Sequence, residues 1–336
     1  MQYPSTQEIS HVVRNRVVDL STFRARSFCP ITPEYVLDIQ YDVLAPSFGM
    51  TRAHNVGSDP VTTNVPVMST QRFGTAYWKE TIRLNEKELL YARQAGSYNQ
   101  RAGRDLVVQR ALHLDTRLET RMEWLAWQVV TAGQIAINDN NVNYTVDYKL
   151  PTVNKPDLSA DNTYKWSAAT CTPVDNFNDW VALYRGSGAK PSKVFFNQIT
   201  AKYLTRSTAI QSLLKNTQYV KNLGVQQMPD VLKMLIPNLD FEIYDGGYLD
   251  ETKTFQPFIQ DGRVVMIGDY TGEKMMDFVS TLSLHNGGID KPSPGKFAIV
   301  EDESQKKKNP FIDITTGIYG LPRVFHPEWI VSAKVF

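Results

Sequence analysis

The stretch RDLVVQRALHLDTRLETRMEWLAWQVVTA, from Arg104 to Ala132, limits what this chain can fold into more than any other. Val107, Ala111, Leu114, Leu118, Met122, Leu125, Val129 and Ala132 recur at spacings of three and four, the period that keeps apolar side chains on one face of an α-helix. No proline or glycine interrupts the run. Gly133 follows its last periodic residue, where a residue that tolerates the left-handed conformation ends a helix at little cost. At 1.5 Å per residue the predicted helix is roughly 40 Å long, a spine for the fold.

The charges on this spine are segregated. Asp115, Glu119 and Glu123 lie four apart and form an acidic column, while Arg110, Arg117 and Arg121 form a basic one on the other flank of the apolar stripe. Like charges at i,i+4 disfavour an isolated helix by a few tenths of a kcal/mol each, so the arrangement forgoes a local gain. Either the columns face solvent or they are kept for other segments and other chains. Trp124 and Trp127 point away from the main stripe, so the C-terminal end of the helix is expected to be covered on more than one side.

Composition narrows the function classes. With 36 basic and 35 acidic residues, 42% hydrophobic and 21% charged, the chain is of the globular type, and near-zero net charge argues against non-specific nucleic-acid binding as its main activity. No run of about 18 apolar residues marks a membrane span, and MQYPSTQEISHVVRNR lacks the apolar core of a secretory signal. Cys29 and Cys171 fit neither a disulfide framework nor a zinc site, and a reducing cytosol is the simplest compartment.

Along the chain, residues 1–48 read as an arm: a helix over Ser5–Val18, then segments punctuated by Pro30, Pro33 and Pro46. Arg14, Arg16, Arg24 and Arg26 make it locally basic, fit to face DNA or to pair with acidic groups of the same or adjacent chains. Residues 49–85 read as a projecting β-hairpin that needs a surface to lie on, its second strand being GTAYWKETIRL. After the spine, AINDNNVNYTVDYKL predicts a turn and an alternating strand. From about Thr170 the pattern is mixed α and β. It comprises a helix ending at Gly186, strand KPSKVFFN, one or two helices in QITAKYLTRSTAIQSLLKN, helix MPDVLKMLI, strand LDFEIYDG and a strand pair about Asp261-Gly262. Strands Ile314–Leu321 and Trp329–Phe336 close the chain and are expected beside the spine, with the α/β part inserted between. EDESQKKK, with Lys306, Lys307 and Lys308, reads as a solvated loop.

No motif in the sequence carries chemistry. RGSGAKPSK lacks the order of a phosphate-binding loop, and Gly186 and Gly188 read as a helix stop. His11, His54, His113, His285 and His326 have no paired ligand spacing, and Asp245, Asp250 and Glu251 surround a turn without calcium-loop register. No catalytic, cofactor-binding or metal-binding residue is assigned, and no cofactor. An arm, a projecting hairpin and a charge-segregated spine favour a subunit that buries extended segments against its neighbours.

The segments YWKETIRLNEKELL, RLETRMEWLAWQVVTAGQI and YGLPRVFHPEWIVSAKVF, with Arg121, Glu123 and Gly133 as the most specific part, resemble the major capsid proteins of tailed bacteriophages, in particular the lambda-like major head protein family. The resemblance implies the α+β Hong Kong 97-like fold: arm 1–48, extended loop 49–85, a peripheral domain of 86–169 and 311–336 with the spine, and an α/β axial domain of 170–310. It implies a structural subunit of an icosahedral virion, made in the host cytoplasm and assembled as hexamers and pentamers around double-stranded DNA held by weak contacts. The implied partners are copies of itself, a separate scaffolding protein and a portal, with room for a decoration protein and no membrane. Trp78, Ile82, Arg117, Glu119, Arg121 and Glu123 are the expected inter-subunit residues, and Arg14, Arg16, Arg24 and Arg26 the DNA-facing candidates. A cellular encapsulin-like shell and a soluble α/β enzyme are the rival readings, distinguished by cargo protein in the particle and by a pocketed monomer with a bound small molecule.

Overall fold

A computed structural model describes residues 3–44, 50, 53, 57, 59, 68–91, 100–139, 142–161, 163–215, 223–270, 272–305 and 309–336. Most of the expected first hairpin strand, His54 and Lys306, Lys307 and Lys308 lie outside them. In chain order the elements are α1 (Thr6–Arg14), β1 (Ile31–Pro33), β2 (Asp38–Leu44), β3 (Met68–Gly74), β4 (Tyr77–Asn85), α2 (Glu86–Tyr91) and the spine α3 (Gln100–Ala132). There follow β5 (Gln134–Asp139), β6 (Val142–Asp147), α4 (Pro173–Ala182), β7 (Lys190–Phe196), α5 (Gln198–Arg206), α6 (Thr208–Leu213), α7 (Met228–Leu235), β8 (Asp240–Ile243), β9 (Gly247–Leu249) and β10 (Phe255–Pro257). The chain finishes with β11 (Arg263–Asp269), β12 (Met276–Ser280), β13 (Leu282–Ser283), β14 (Ser293–Pro294), β15 (Phe297–Asp302), β16 (Phe311–Val324) and β17 (Ile330–Lys334). Two compact units result: Met1–Gln40 with Arg72–Ala126 and Asp277–Arg323, and Tyr41–Gln71 with Trp127–Met276 and Val324–Phe336.

The first unit is built on β16. Its 14 residues are long enough to serve β12, β15 and β4, and β1 extends the sheet beyond β12. Alternation puts Ile312, Ile314 and Ile318 on the buried face, where Ile312 lies opposite Leu84 and Ile314 opposite Ile82 of β4. Ile312 and Ile314 share a core with Val107, Ala111 and Leu114 of α3 and Ile9 and Val13 of α1. A capping box holds the start of α1, the Glu8 carboxylate accepting from the Ser5 N–H at 2.8 Å. The hydroxyls of Thr6 and Ser10 donate to the Val300 and Ala298 carbonyls at 3.2 and 2.6 Å, which lays α1 along β15.

The second unit centres on a sheet of order β17, β11, β7, β8. Val264 through Ile267 of β11 are all buried, as a strand covered on both faces requires. Trp127, fully buried, stacks on Tyr244 at 5.2 Å and meets Phe195 edge-on at 5.3 Å, so this end of the spine is enclosed, as expected. Gly133 ends the helix at φ +75°, its N–H donating to the Val129 carbonyl at 2.8 Å.

Several connections differ from the sequence reading. The β4 strand does not return on β3: β3 pairs with β2, and β4 with β16. Strand β17 pairs with β11 in the second unit, and there it meets the last turn of the spine, the Ser332 hydroxyl donating to the Thr131 carbonyl at 2.6 Å. Only one strand flanks Asp261-Gly262, because Phe258 is tied to the Gly246 carbonyl and joins no ladder there. Helix α1 stops at Arg14, and Val17, which would have extended its apolar face, is exposed. Alternation specifies which face a residue occupies; it carries no information on which strand lies beside it.

Candidate functional site

The acidic column of the spine is satisfied inside the chain. Helical geometry stacks Asp115, Glu119 and Glu123 one turn apart, and all three are buried, Asp115 at 0% and Glu119 at 1% exposure. Arg16 reaches Asp115 at 3.0 Å and also donates to the Leu112 carbonyl and the Thr116 hydroxyl, at 3.1 and 2.8 Å. Arg26 binds Glu119 through Nε at 3.0 Å and through Nη2. Both oxygens of Glu123 accept from the Ala25 N–H, at 2.9 and 3.0 Å. Lys296, just before β15, completes the set with Nζ 2.6 Å from Asp115 and in ion-pair contact with Glu119. Burial alone would raise the Glu119 carboxyl; the charges of Arg26 and Lys296 outweigh it, and the group lies below its ordinary value.

This ladder fixes the arm to the spine. Arg14 adds a bond from Nε to the Lys296 carbonyl at 2.9 Å and another to Asn286. Arg14, Arg16 and Arg26 have partners within the chain, and Arg24 is half-buried as well. A second ionic knot joins Arg323 of β16 to Asp277 of β12 at 3.0 and 2.9 Å and to Glu34 at 2.7 Å. Lys296, Asp277 and Arg323 were not singled out in the sequence. They stand alone in segments without helical period, so no spacing pointed to them.

The basic flank of the spine is different. Arg117 pairs with Glu80 of β4 at 2.7 Å, both side chains about half exposed. The Arg121 guanidinium lies 5.2 Å from the Trp78 ring and 5.3 Å from that of Trp124, and Trp78 Nε1 donates to the Gly320 carbonyl at 3.0 Å. Ile82 faces the core. Of the six residues expected between subunits, Glu119 and Glu123 are buried on partners of their own chain and Ile82 packs inward. Trp78, Arg117 and Arg121 form a patch at or near the surface.

Other sequence candidates resolve locally. Gly186 and Gly188 take φ +85° and +82° beyond α4, as a helix stop does. The Asp250 carboxylate accepts from the Thr252 hydroxyl at 2.7 Å, the Thr254 N–H at 2.8 Å and Gln256 Nε2 at 3.0 Å, a turn closed on itself. Cys29 and Cys171 are buried, and burial pushes both thiols up, away from the reactive thiolate. His326 stacks on Trp329 at 3.8 Å between Glu273 and Glu328. It borders an open cleft of about 360 Å³ with Asp42, Lys274 and Phe325. Among the described residues no group of three His, Cys, Asp or Glu could hold a metal ion, and no helix is long and apolar enough to cross a membrane.

The first unit lays a spine helix on a mixed sheet and clamps an N-terminal arm to it, and the second is an α/β unit. A putative capsid protein of an Escherichia coli CFT073 prophage has the same fold at TM-score 0.67 and 14% identity, with 100% of both chains covered. A phage-related protein of Bordetella bronchiseptica RB50 follows at TM-score 0.56 and 10% identity, covering 99% of this chain and 98% of that one. The capsid of Myoviridae phage XM1 matches at TM-score 0.51 and 10% identity, covering 96% and 94%. The sequence itself matches the family described as phage major capsid protein E over residues 5–335. The fold and nearly the whole length of the chain thus place it in the phage major capsid protein E family.

Proposed function

We propose that this chain, a capsid structural subunit, assembles through repeated contacts into the hexamers and pentamers of an icosahedral phage head that encloses double-stranded DNA. The family match over residues 5–335 is the observation that carries this reading. Copies of itself are the principal partner. A scaffolding protein, a portal and a decoration protein belong to the same reading, as does a purely structural role without catalysis. Residues 1–48 serve as the arm and 49–85 as the extended loop reaching a neighbour. The peripheral part, with the spine, is 86–169 and 311–336, and the axial part is 170–310.

The ladder of Asp115, Glu119, Glu123 and Lys296 works within each subunit, where it fixes the arm. Trp78, Arg117 and Arg121 are the residues of the spine flank that meet a neighbour. Because Arg14, Arg16 and Arg26 are held by their own chain, any DNA contact by the arm is weak and non-specific. Electron cryomicroscopy of particles made by the chain expressed with its scaffold tests the proposal. Closed icosahedral shells of this subunit are expected, and particles filled with a cargo enzyme in place of DNA would contradict it.

A further inference from the structure

The outer face of the β4–β16–β15 sheet and the turn beside it form an uncovered apolar patch in the first unit. Tyr77 is 68% exposed and meets Tyr319 of β16 edge-on at 4.6 Å. Tyr319 also lies 6.1 Å from the His285 ring, which sits 4.6 Å from Phe297. Leu284 and Leu37, both exposed, border it: Leu282 N–H donates to the Val36 carbonyl, and Thr75 donates to Leu37. Monomeric proteins seldom leave such a contiguous apolar surface without a use.

Two charges mark this face. Lys79 follows Tyr77 on the same side of β4, opposite Gly317, and has no ion-pair partner among the described residues. Burial, and then the charge of Lys79, hold the His285 imidazole below its ordinary value. The turn between β13 and β14 carries a carboxylate, Asp290, followed by the exposed Lys291. Gly287 and Gly288, at φ +88° and +74°, fold it tightly. At its tip stands Ile289, 84% exposed, with Asp290 beside it, also exposed and without an ion-pair partner among the described residues.

We infer that this turn is a plug and the Tyr77–Tyr319–Lys79 face its receptor on a second copy of the chain, with Ile289 against the tyrosines and Asp290 paired with Lys79. The inference rests on the shell-subunit reading and names one of its contacts. Charge complementarity selects a second copy: an unpaired cation among aromatic rings and an unpaired carboxylate beside an exposed isoleucine occur on the same surface. Plug and receptor are different residues, so each copy can present its plug while its own receptor takes the plug of another copy.

Charge reversal tests this. Lys79→Glu, Asp290→Lys and the double variant are compared for particle yield by sedimentation and electron microscopy, with circular dichroism melting of the unassembled chain as a control for folding. Each single variant is expected to melt like the wild type and to lose particle yield at least tenfold, and the double variant to recover most of it. In assembled particles mixed from ¹⁴N and ¹⁵N chains, carbodiimide is expected to join Lys79 of one isotope to Asp290 of the other. Single variants that assemble at wild-type yield, or a link found only within one isotope, would overturn the inference. A wild-type chain that forms no particle would instead refute the shell reading beneath it.

Discussion

Replacing Lys296 by methionine tests how the arm is held. Its ammonium lies 2.6 Å from Asp115 and against Glu119, and both carboxylates are buried. Methionine keeps the length and apolar stem, so the variant removes mainly charge. At an effective dielectric constant of about 20, a charge pair at 4 Å is worth about 4 kcal/mol before desolvation. Removing one partner of a buried pair costs roughly 3–5 kcal/mol, because the other is left uncompensated. Arg16 and Arg26 remain, so the lower end applies, about 3 kcal/mol. For a chain of 150–250 residues or a unit near that size, this lowers the melting temperature by roughly 6–12 °C. Urea unfolding of the unassembled chain measures it. Adding Glu119→Gln removes one stranded carboxylate, so the double variant should be more stable than the sum of the single changes predicts, by about 1 kcal/mol. A Lys296→Met chain within about 0.5 kcal/mol of wild type, or strictly additive changes, would refute the argument that Lys296 neutralises the column.

Other consequences follow from the same geometry. The folded-state value of Glu119 is depressed, so its contribution is fully present above the ordinary carboxylate range and is lost as pH falls through the folded value. Protection factors of the amides in residues 5–27, exchange rates corrected for the intrinsic effect of pH, should therefore fall below the ordinary carboxylate range and stay unchanged between pH 6 and 8. Trp127→Ala removes a fully buried ring from between Tyr244 and Phe195 and should cost roughly 3–5 kcal/mol, read by urea unfolding with loss of the near-ultraviolet signal. Gly133→Ala forces a side chain into φ +75° against Leu150 and Lys155, with an expected cost of about 1–2 kcal/mol in the same assay. Arg121→Glu, lying by Trp78 and Trp124, should leave the melting temperature within a few degrees and reduce particle yield; unchanged yield would remove it from the contact.

The spine was legible because its information is local. Eight apolar residues at helical spacing and Gly133 specify a buried stripe and a stop, and the structure buries Val107 through Val129 of that stripe. The helix begins four residues before Arg104, since Gln100–Gly103 carry no periodic signal of their own. The acidic column was visible too, as charges withheld from local pairing. Its partners were not, because Arg16 and Lys296 lie 99 and 181 residues from Asp115. The strand order failed for the same reason. The sequence of β4 alternates as an exposed ribbon would, yet Leu84 and Ile82 are matched to Ile312 and Ile314, more than two hundred residues away. Strand β17 looks like any other C-terminal apolar run, and only its ladder with β11 assigns it to the second unit.

The most direct measurement is the mass of the purified chain in solution by light scattering, with negative-stain microscopy of the same sample. The account predicts hexamers and pentamers, or closed particles in the megadalton range when the scaffold is present. A monomer or dimer that persists with the scaffold would contradict it.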